Sequence, residues 1–110
     1  MIHIAIGQCG STGTAEENQR EMERLLLQAA EEDPKLDLMV FPEYCRYTPA
    51  SRQDALDCAI DLERPDPFVD RMRALAREHR IYLIPGSIPE RAGENKICNT
   101  ELTIEREGEI

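Results

Sequence analysis

No apolar stretch in this sequence comes near the roughly 20 residues that a membrane-spanning helix needs. Leu38-Met39-Val40-Phe41 and Ile81-Tyr82-Leu83-Ile84 each stop after a few positions. The opening, Met1-Ile2-His3-Ile4-Ala5-Ile6, lacks the basic lead and the cleavable small-residue end of a secretory signal. Together these two absences predict a cytoplasmic protein without a membrane partner. Positive charge is scarce as well. Lys and Arg number 13 against 22 Asp and Glu, and a formal net charge of -9 repels a phosphate backbone rather than holding it. A nucleic-acid partner is not expected.

Close cysteine pairs are also missing. Cys9, Cys45, Cys58 and Cys98 form no C-x-x-C motif, so free thiols are expected. His3 and His79 fall at neither helical nor finger spacing from any of them, so no metal site is predicted. No internal repeat or low-complexity tract occurs. What the 110 residues do contain is 41% hydrophobic and 32% charged side chains, enough to bury the modest core of one small domain. That balance excludes a disordered or collagen-like chain.

The element pattern reads as α/β. Ile2, Ile4 and Ile6 alternate with His3 and Ala5, predicting a first strand with the isoleucines on its buried face. Thr14 followed by Glu17 has the form of a capping box, and Met22, Leu25, Leu26, Ala29 and Ala30 then recur at helical spacing until Asp33-Pro34 stops the helix. Leu38 to Phe41 reads as a strand buried on both faces, closed by Pro42. Ser51 with Asp54 starts a short helix carrying Ala55, Leu56, Ala59 and Ile60. Asp66 as N-cap and Pro67 at the first helical position open a third helix, whose inward stripe is Phe68, Met72, Leu75, Ala76 and His79. A strand over Ile81–Ile84 follows, broken by Pro85-Gly86. The last strand runs near Ile97 to Glu105 with Cys98, Thr100, Leu102 and Ile104 inward. Gly108 marks a turn, after which another strand is expected, so the sequence reads as a partial domain over residues 1–110.

Glu43 directly follows Leu38-Met39-Val40-Phe41-Pro42, which puts a carboxylate at the carboxyl end of a buried strand, where open α/β sheets collect ligands. Partial desolvation there would make it a better proton acceptor; a solvated loop glutamate is the plainer reading of position alone. Gly7, Gly10 and Gly13 lie between a strand and a helix, the setting of phosphate-cradling loops. Their spacing matches neither the dinucleotide fingerprint nor the P-loop, and Glu16 and Glu17 would face the phosphate. Cys45 has Arg46 beside it, but Glu43 two positions earlier opposes thiolate formation, so a packing thiol is expected. Cys58 and Cys98 read as core residues. Cys9, in the glycine turn, is undecided. His3 and His79 show no partner in the sequence, and the acidic groups Glu31-Glu32-Asp33 and Glu105 to Glu109 read as solvated faces.

Four pieces carry a resemblance. They are Ile4-Ala5-Ile6-Gly7-Gln8; Leu38-Met39-Val40-Phe41-Pro42-Glu43; Leu75 to Ser87, through His79-Arg80-Ile81-Tyr82-Leu83-Ile84-Pro85-Gly86; and Asn99-Thr100 leading to Glu107-Gly108-Glu109-Ile110. In this order and spacing the chain resembles the N-terminal part of the nitrilase superfamily, the carbon-nitrogen hydrolases. The resemblance implies the N-terminal portion of an α-β-β-α sandwich and hydrolysis of an amide or nitrile by a glutamate, a lysine and a cysteine. Cysteine attacks the carbon, glutamate moves protons, and lysine stabilises the developing charge, with no cofactor and with a small-molecule amide or nitrile as substrate. Glu43 matches the glutamate. The resemblance places the lysine after the turn near Gly108 and the cysteine later still, so Lys35, Lys96 and the four cysteines do not take those roles. Arg46 stands where many members carry a glycine before a tyrosine, here Tyr47.

Two consequences are expected. The chain by itself is inactive, and, with strands apolar on both faces but helices enough for one, it self-associates as a homo-oligomer or packs against a further segment. The competing expectation is a non-catalytic α/β domain acting by association or by nucleotide binding at the Gly7–Gly13 turn.

Overall fold

Local signals set the helices. A computed structural model describes residues 1–110, with elements in the order β1 (Ile4–Ile6), α1 (Ala15–Glu32), β2 (Leu38–Val40), α2 (Arg52–Asp57), α3 (Pro67–His79), β3 (Tyr82–Ile84), β4 (Ser87–Gly93) and β5 (Lys96–Glu101). Thr14 caps α1 reciprocally with Glu17: the Glu17 amide donates to Thr14 Oγ1 at 3.2 Å and the Thr14 amide to Glu17 Oε2 at 2.8 Å. Such a cap stabilises a helix by about 1 kcal/mol. Ser51 caps α2. Asp66 Oδ1 accepts from the Phe68 and Val69 amides at 2.9 and 3.1 Å, and Arg80, left-handed at φ 55, ends α3.

β1, β2 and β3 form a parallel sheet in that order, in the register Ile4–Leu38–Tyr82 and Ile6–Val40–Ile84. Strand order therefore advances in one direction. Crossovers of one hand then put α1 and α3 on the same face. That face carries Ala5, Met39 and Leu83, and beneath the helices it joins Met22, Leu26, Phe68, Met72 and Leu75 in one core. Each fully buried Leu, Met or Phe among them contributes roughly 1.5–3 kcal/mol on burial. Arg71 of α3 and Glu23 of α1, 2.9 Å apart, tie the two helices together at the surface.

The opposite face is left without a helix. Its six side chains are Ile4, Ile6, Leu38, Val40, Tyr82 and Ile84. Ile4 is 57%, Ile6 79% and Tyr82 40% exposed, and Ile2 beyond the strand is 73% exposed. This corrects the first-strand expectation: the small Ala5 faces the helices and the isoleucines face away. It also corrects the reading of β2 as buried on both faces, since Met39 alone of its three residues is buried. Alternation located the apolar side of β1 but carried no information on which side the crossovers cover.

A second difference is β4. It pairs antiparallel with β5 through a two-residue turn at Glu94-Asn95, with Ile88 opposite Thr100 and Glu90 opposite Cys98. Sequence reading gave one strand here and not two, because Pro85, Gly86 and Pro89 look like strand breakers; Pro89 is tolerated because the hairpin has open edges. The distal hairpin projects beyond the core, which leaves Cys98 exposed instead of inward, while Leu102 and Ile104 dip back and are buried. Ile104 pairs with Leu83, extending the parallel sheet by one antiparallel bridge. No helix is long and apolar enough to cross a membrane.

Candidate active site

The carboxyl ends of β1, β2 and β3 open into three segments, residues 7–13, 41–51 and 85–87, gathered at one end of the sheet. Glu43 lies in the middle one. Its loop is held from every side. The Gly7 amide donates to Val40 O at 2.8 Å and the Phe41 amide to Ile84 O at 2.9 Å, continuing the sheet. The Tyr44 amide donates to Ser87 Oγ at 3.2 Å, Ser11 Oγ to Cys45 O at 2.7 Å, and Asn18 Nδ2 to Arg46 O at 2.9 Å. Tyr44 takes the left-handed conformation at φ 49, which turns the chain so that Glu43 points out while Cys45 points in.

Gly86 makes the tight approach possible. At φ +81 it sits against Pro42, and a Cβ there would lie 2.1 Å from the Pro42 carbonyl oxygen. No other residue type fits a left-handed position with backbone at that distance.

Glu43 is exposed, so the partial desolvation expected of it is not found. What orients it is Asn99 of β5, whose Nδ2 donates to Glu43 Oε1. Asn99 belongs to one of the pieces carrying the family resemblance, yet nothing in the sequence linked it to Glu43. The link depends on the hairpin register, which the missed β4 concealed.

A cavity of about 340 Å³ lies beside this loop, lined by Arg46, Tyr47, Asp54, Cys58, Ile60 and Ser87 among others, and Glu43 does not line it. Arg46 lies 5.0 Å above the Phe68 ring, and Tyr47 donates its hydroxyl to Asp54 at 2.9 Å. That bond, with burial, holds the Tyr47 phenol above its ordinary range. Cys58 is half-buried rather than a core residue, and burial with the nearby Asp54 pushes its thiol up.

Cys45 is fully buried, and burial followed by the facing Cys9 thiol pushes it up to about 12. A thiol so placed packs into the core, as the sequence predicts. Cys9 is half-buried against the core. The glycine turn leads into an α1 N-terminus where the Gly13, Thr14 and Glu17 amides are already engaged: Asn18 Oδ1 accepts from Gly13 at 3.1 Å, Glu17 Oε2 from Thr14 at 2.8 Å and Thr14 Oγ1 from Glu17 at 3.2 Å. No group of three His, Cys, Asp or Glu side chains converges as a metal ion requires. His3, without a partner in the sequence reading, pairs through Nδ1 with Asp33 at 2.6 Å.

A carboxylate on a loop held from several sides, at the carboxyl end of the central strand of a parallel sheet, makes this an α/β protein with an acidic group where open sheets of this kind collect ligands. Residues 3–110 match the carbon-nitrogen hydrolase family, and the chain belongs to that family. Similar structures agree. A Saccharomyces cerevisiae member of branch 10 of the nitrilase superfamily is 27% identical with a TM-score of 0.87, over 99% of this chain and 41% of that one. A carbon-nitrogen hydrolase from Helicobacter pylori G27 is 24% identical with a TM-score of 0.83, covering 97% and 36%. An amidase from Nesterenkonia sp., at 22% identity and a TM-score of 0.77 over 98% and 40%, shares the fold. The chain thus spans about two fifths of the length of these relatives.

Proposed function

We propose that Glu43 is the proton-transferring carboxylate of an amide- or nitrile-hydrolysing site. It acts in a protein whose lysine and nucleophilic cysteine come from the region corresponding to the rest of the relatives' length. The observation that carries this reading is the position of Glu43: first residue beyond β2-Pro42, on a loop fixed by Gly86, Ser87, Ser11 and Asn18, and oriented by Asn99. In the proposed reaction on an amide the cysteine sulfur attacks the substrate carbon while Glu43 takes the thiol proton and passes it to the departing nitrogen. A water deprotonated by Glu43 then cleaves the thioester to acid and thiol. A nitrile reaches the same thioester by adding the thiol and one water and losing ammonia. The lysine ammonium balances the negative charge that builds on the substrate. One similar structure is a Nesterenkonia amidase described with a glutamate-to-glutamine change and acrylamide added at its active-site cysteine, which supports pairing a glutamate with a cysteine.

Two corollaries belong to the proposal. The 110 residues alone turn over no amide or nitrile, since a base without its nucleophile forms no covalent intermediate. The bare sheet face with Ile4, Ile6 and Tyr82 is a site of association, with a second copy or with a further segment. Glu43→Gln in a protein that carries all three groups tests the central claim. Glutamine keeps shape and hydrogen bonding but takes no proton. Ammonia release is expected to fall by roughly 10²–10⁴ with an unchanged melting temperature; near-normal turnover would reduce Glu43 to a loop carboxylate.

A further inference from the structure

Two thiols that the hydrolytic reading does not use meet beneath the Glu43 loop. Cys9 lies in the β1–α1 segment and Cys45 two positions after Glu43. Together with Gly10, Ser11, Thr12, Asn18 and Glu21 they line one small cavity of about 110 Å³. Cys45 is fully buried, its carbonyl is fixed by Ser11 Oγ at 2.7 Å, and its side chain belongs to the core cluster against which Cys9 packs. Across this cavity the Cys9 thiol faces Cys45 closely enough to add to the upward push that burial gives the Cys45 thiol. They differ in access: Cys9 is half-buried in a glycine-rich segment, whereas Cys45 is sealed. Cys58 and Cys98 lie elsewhere, on the rim of the larger cavity and on the exposed hairpin.

We propose that Cys9 and Cys45 form a reversible disulfide on exposure to a hydroperoxide, locking the β1–α1 segment to the loop that carries Glu43. The accessible partner reacts first. The Cys9 sulfur attacks the peroxide and breaks its O–O bond, leaving a sulfenic acid on Cys9 and releasing an alcohol, or water from hydrogen peroxide. The Cys45 sulfur then attacks Cys9 Sγ, forming the S–S bond and expelling the hydroxyl, which leaves as water with the Cys45 proton. In sum, two thiols and one hydroperoxide give one disulfide, one alcohol and one water. The peroxide gains two electrons, one drawn from each cysteine sulfur. Burial keeps Cys45 protonated, and proximity within the shared cavity offsets its low thiolate fraction.

The four cysteines fall on four different tryptic peptides, so the pairing is read directly. The reduced protein is treated with hydrogen peroxide at one equivalent, its remaining thiols are alkylated in denaturant, and the digest is mapped without reduction. The expected result is a link between the peptides Met1–Arg20 and Leu36–Arg46, lighter by two hydrogen atoms and reversed by dithiothreitol, with Cys58 and Cys98 recovered alkylated. Hydrogen exchange of the Tyr44–Tyr47 amides is expected to slow in the linked form. A Cys45→Ala variant is expected to trap a dimedone-reactive sulfenic acid at Cys9. Recovery of Cys9 and Cys45 as alkylated thiols while Cys98 oxidises, or links made between molecules through Cys98 alone, would overturn the proposal; the wild-type mapping decides it even if the variant fails to fold.

Discussion

Asn99 Nδ2 donates to Glu43 Oε1 at 2.5 Å, a bond between the second strand of a hairpin and a loop that follows the parallel sheet. The donor fixes which Glu43 oxygen stays engaged and therefore which one faces outward. Under the proposed function Asn99 is a positioning residue, acting through the geometry of Glu43.

Asn99→Ala is expected to lower kcat of a complete enzyme by about tenfold or more, because small displacements of a catalytic group are costly. KM should change little. Since the bond is exposed, the stability cost should stay near 1 kcal/mol. Steady-state ammonia release with a urea titration checks both numbers.

Gly86→Ala is expected to destabilise the fold by roughly 2–4 kcal/mol, combining left-handed strain with displacement of the Pro42 backbone. Equilibrium unfolding measures it. The neighbouring Ser87→Ala removes only the acceptor of the Tyr44 amide and should cost about 1 kcal/mol.

Ile6→Lys is expected to weaken association of the isolated chain without lowering its melting temperature, because Ile6 contributes to the bare face and not to the core. Sedimentation velocity on both forms provides the comparison. A wild-type chain that sediments as a monomer and binds no apolar dye contradicts the expectation.

Asp37 responds to acid. Its carboxylate is held below the ordinary range first by the His3 amide at 3.0 Å and then by the Arg106 guanidinium at 2.6 Å. A lowered folded-state value means the ionised form is favoured by folding. Its stabilisation is present above the unfolded value of about 3.9 and disappears as pH falls through the lower folded value. Wild type should therefore melt above Asp37→Asn at neutral pH, with the gap closing toward about pH 2. Melting temperatures across pH 2 to about 7 decide it.

Particular residues explain what the sequence disclosed. Thr14-Glu17, Ser51-Asp54 and Asp66-Pro67 gave three helix starts, because capping is local chemistry written within four positions. Glu43 was legible because Pro42 ends a short apolar run. The facing of Ile4 and Ile6 was not, since it follows from the direction in which strand order advances, a property of the whole sheet. Asn99 and Cys9 were equally hidden. Their partners are set by the hairpin register and by the turn at Tyr44, neither of which leaves a periodic trace. His3 found Asp33 only once β1 and the end of α1 were brought together.

The hairpin that supplies Asn99 is attached at its base, where the Ile60 amide donates to Pro89 O and the Arg91 amide to Ile60 O, each at 2.8 Å. Its outer half, from Arg91 through Ile97, holds no buried residue, and Asn99 lies just inside it, opposite Pro89. Contacts of this long range form late and open early, since loop closure is needed first and little apolar area rewards it. Glu43 is thus expected to be completed after the helices and parallel sheet have settled, and detachment of the hairpin at the Pro89–Asn99 pair is expected to release it while the core stays intact. Loss of an ordered carboxylate is expected to precede loss of the fold, so cooperative melting of a preparation is not by itself a measure of its site.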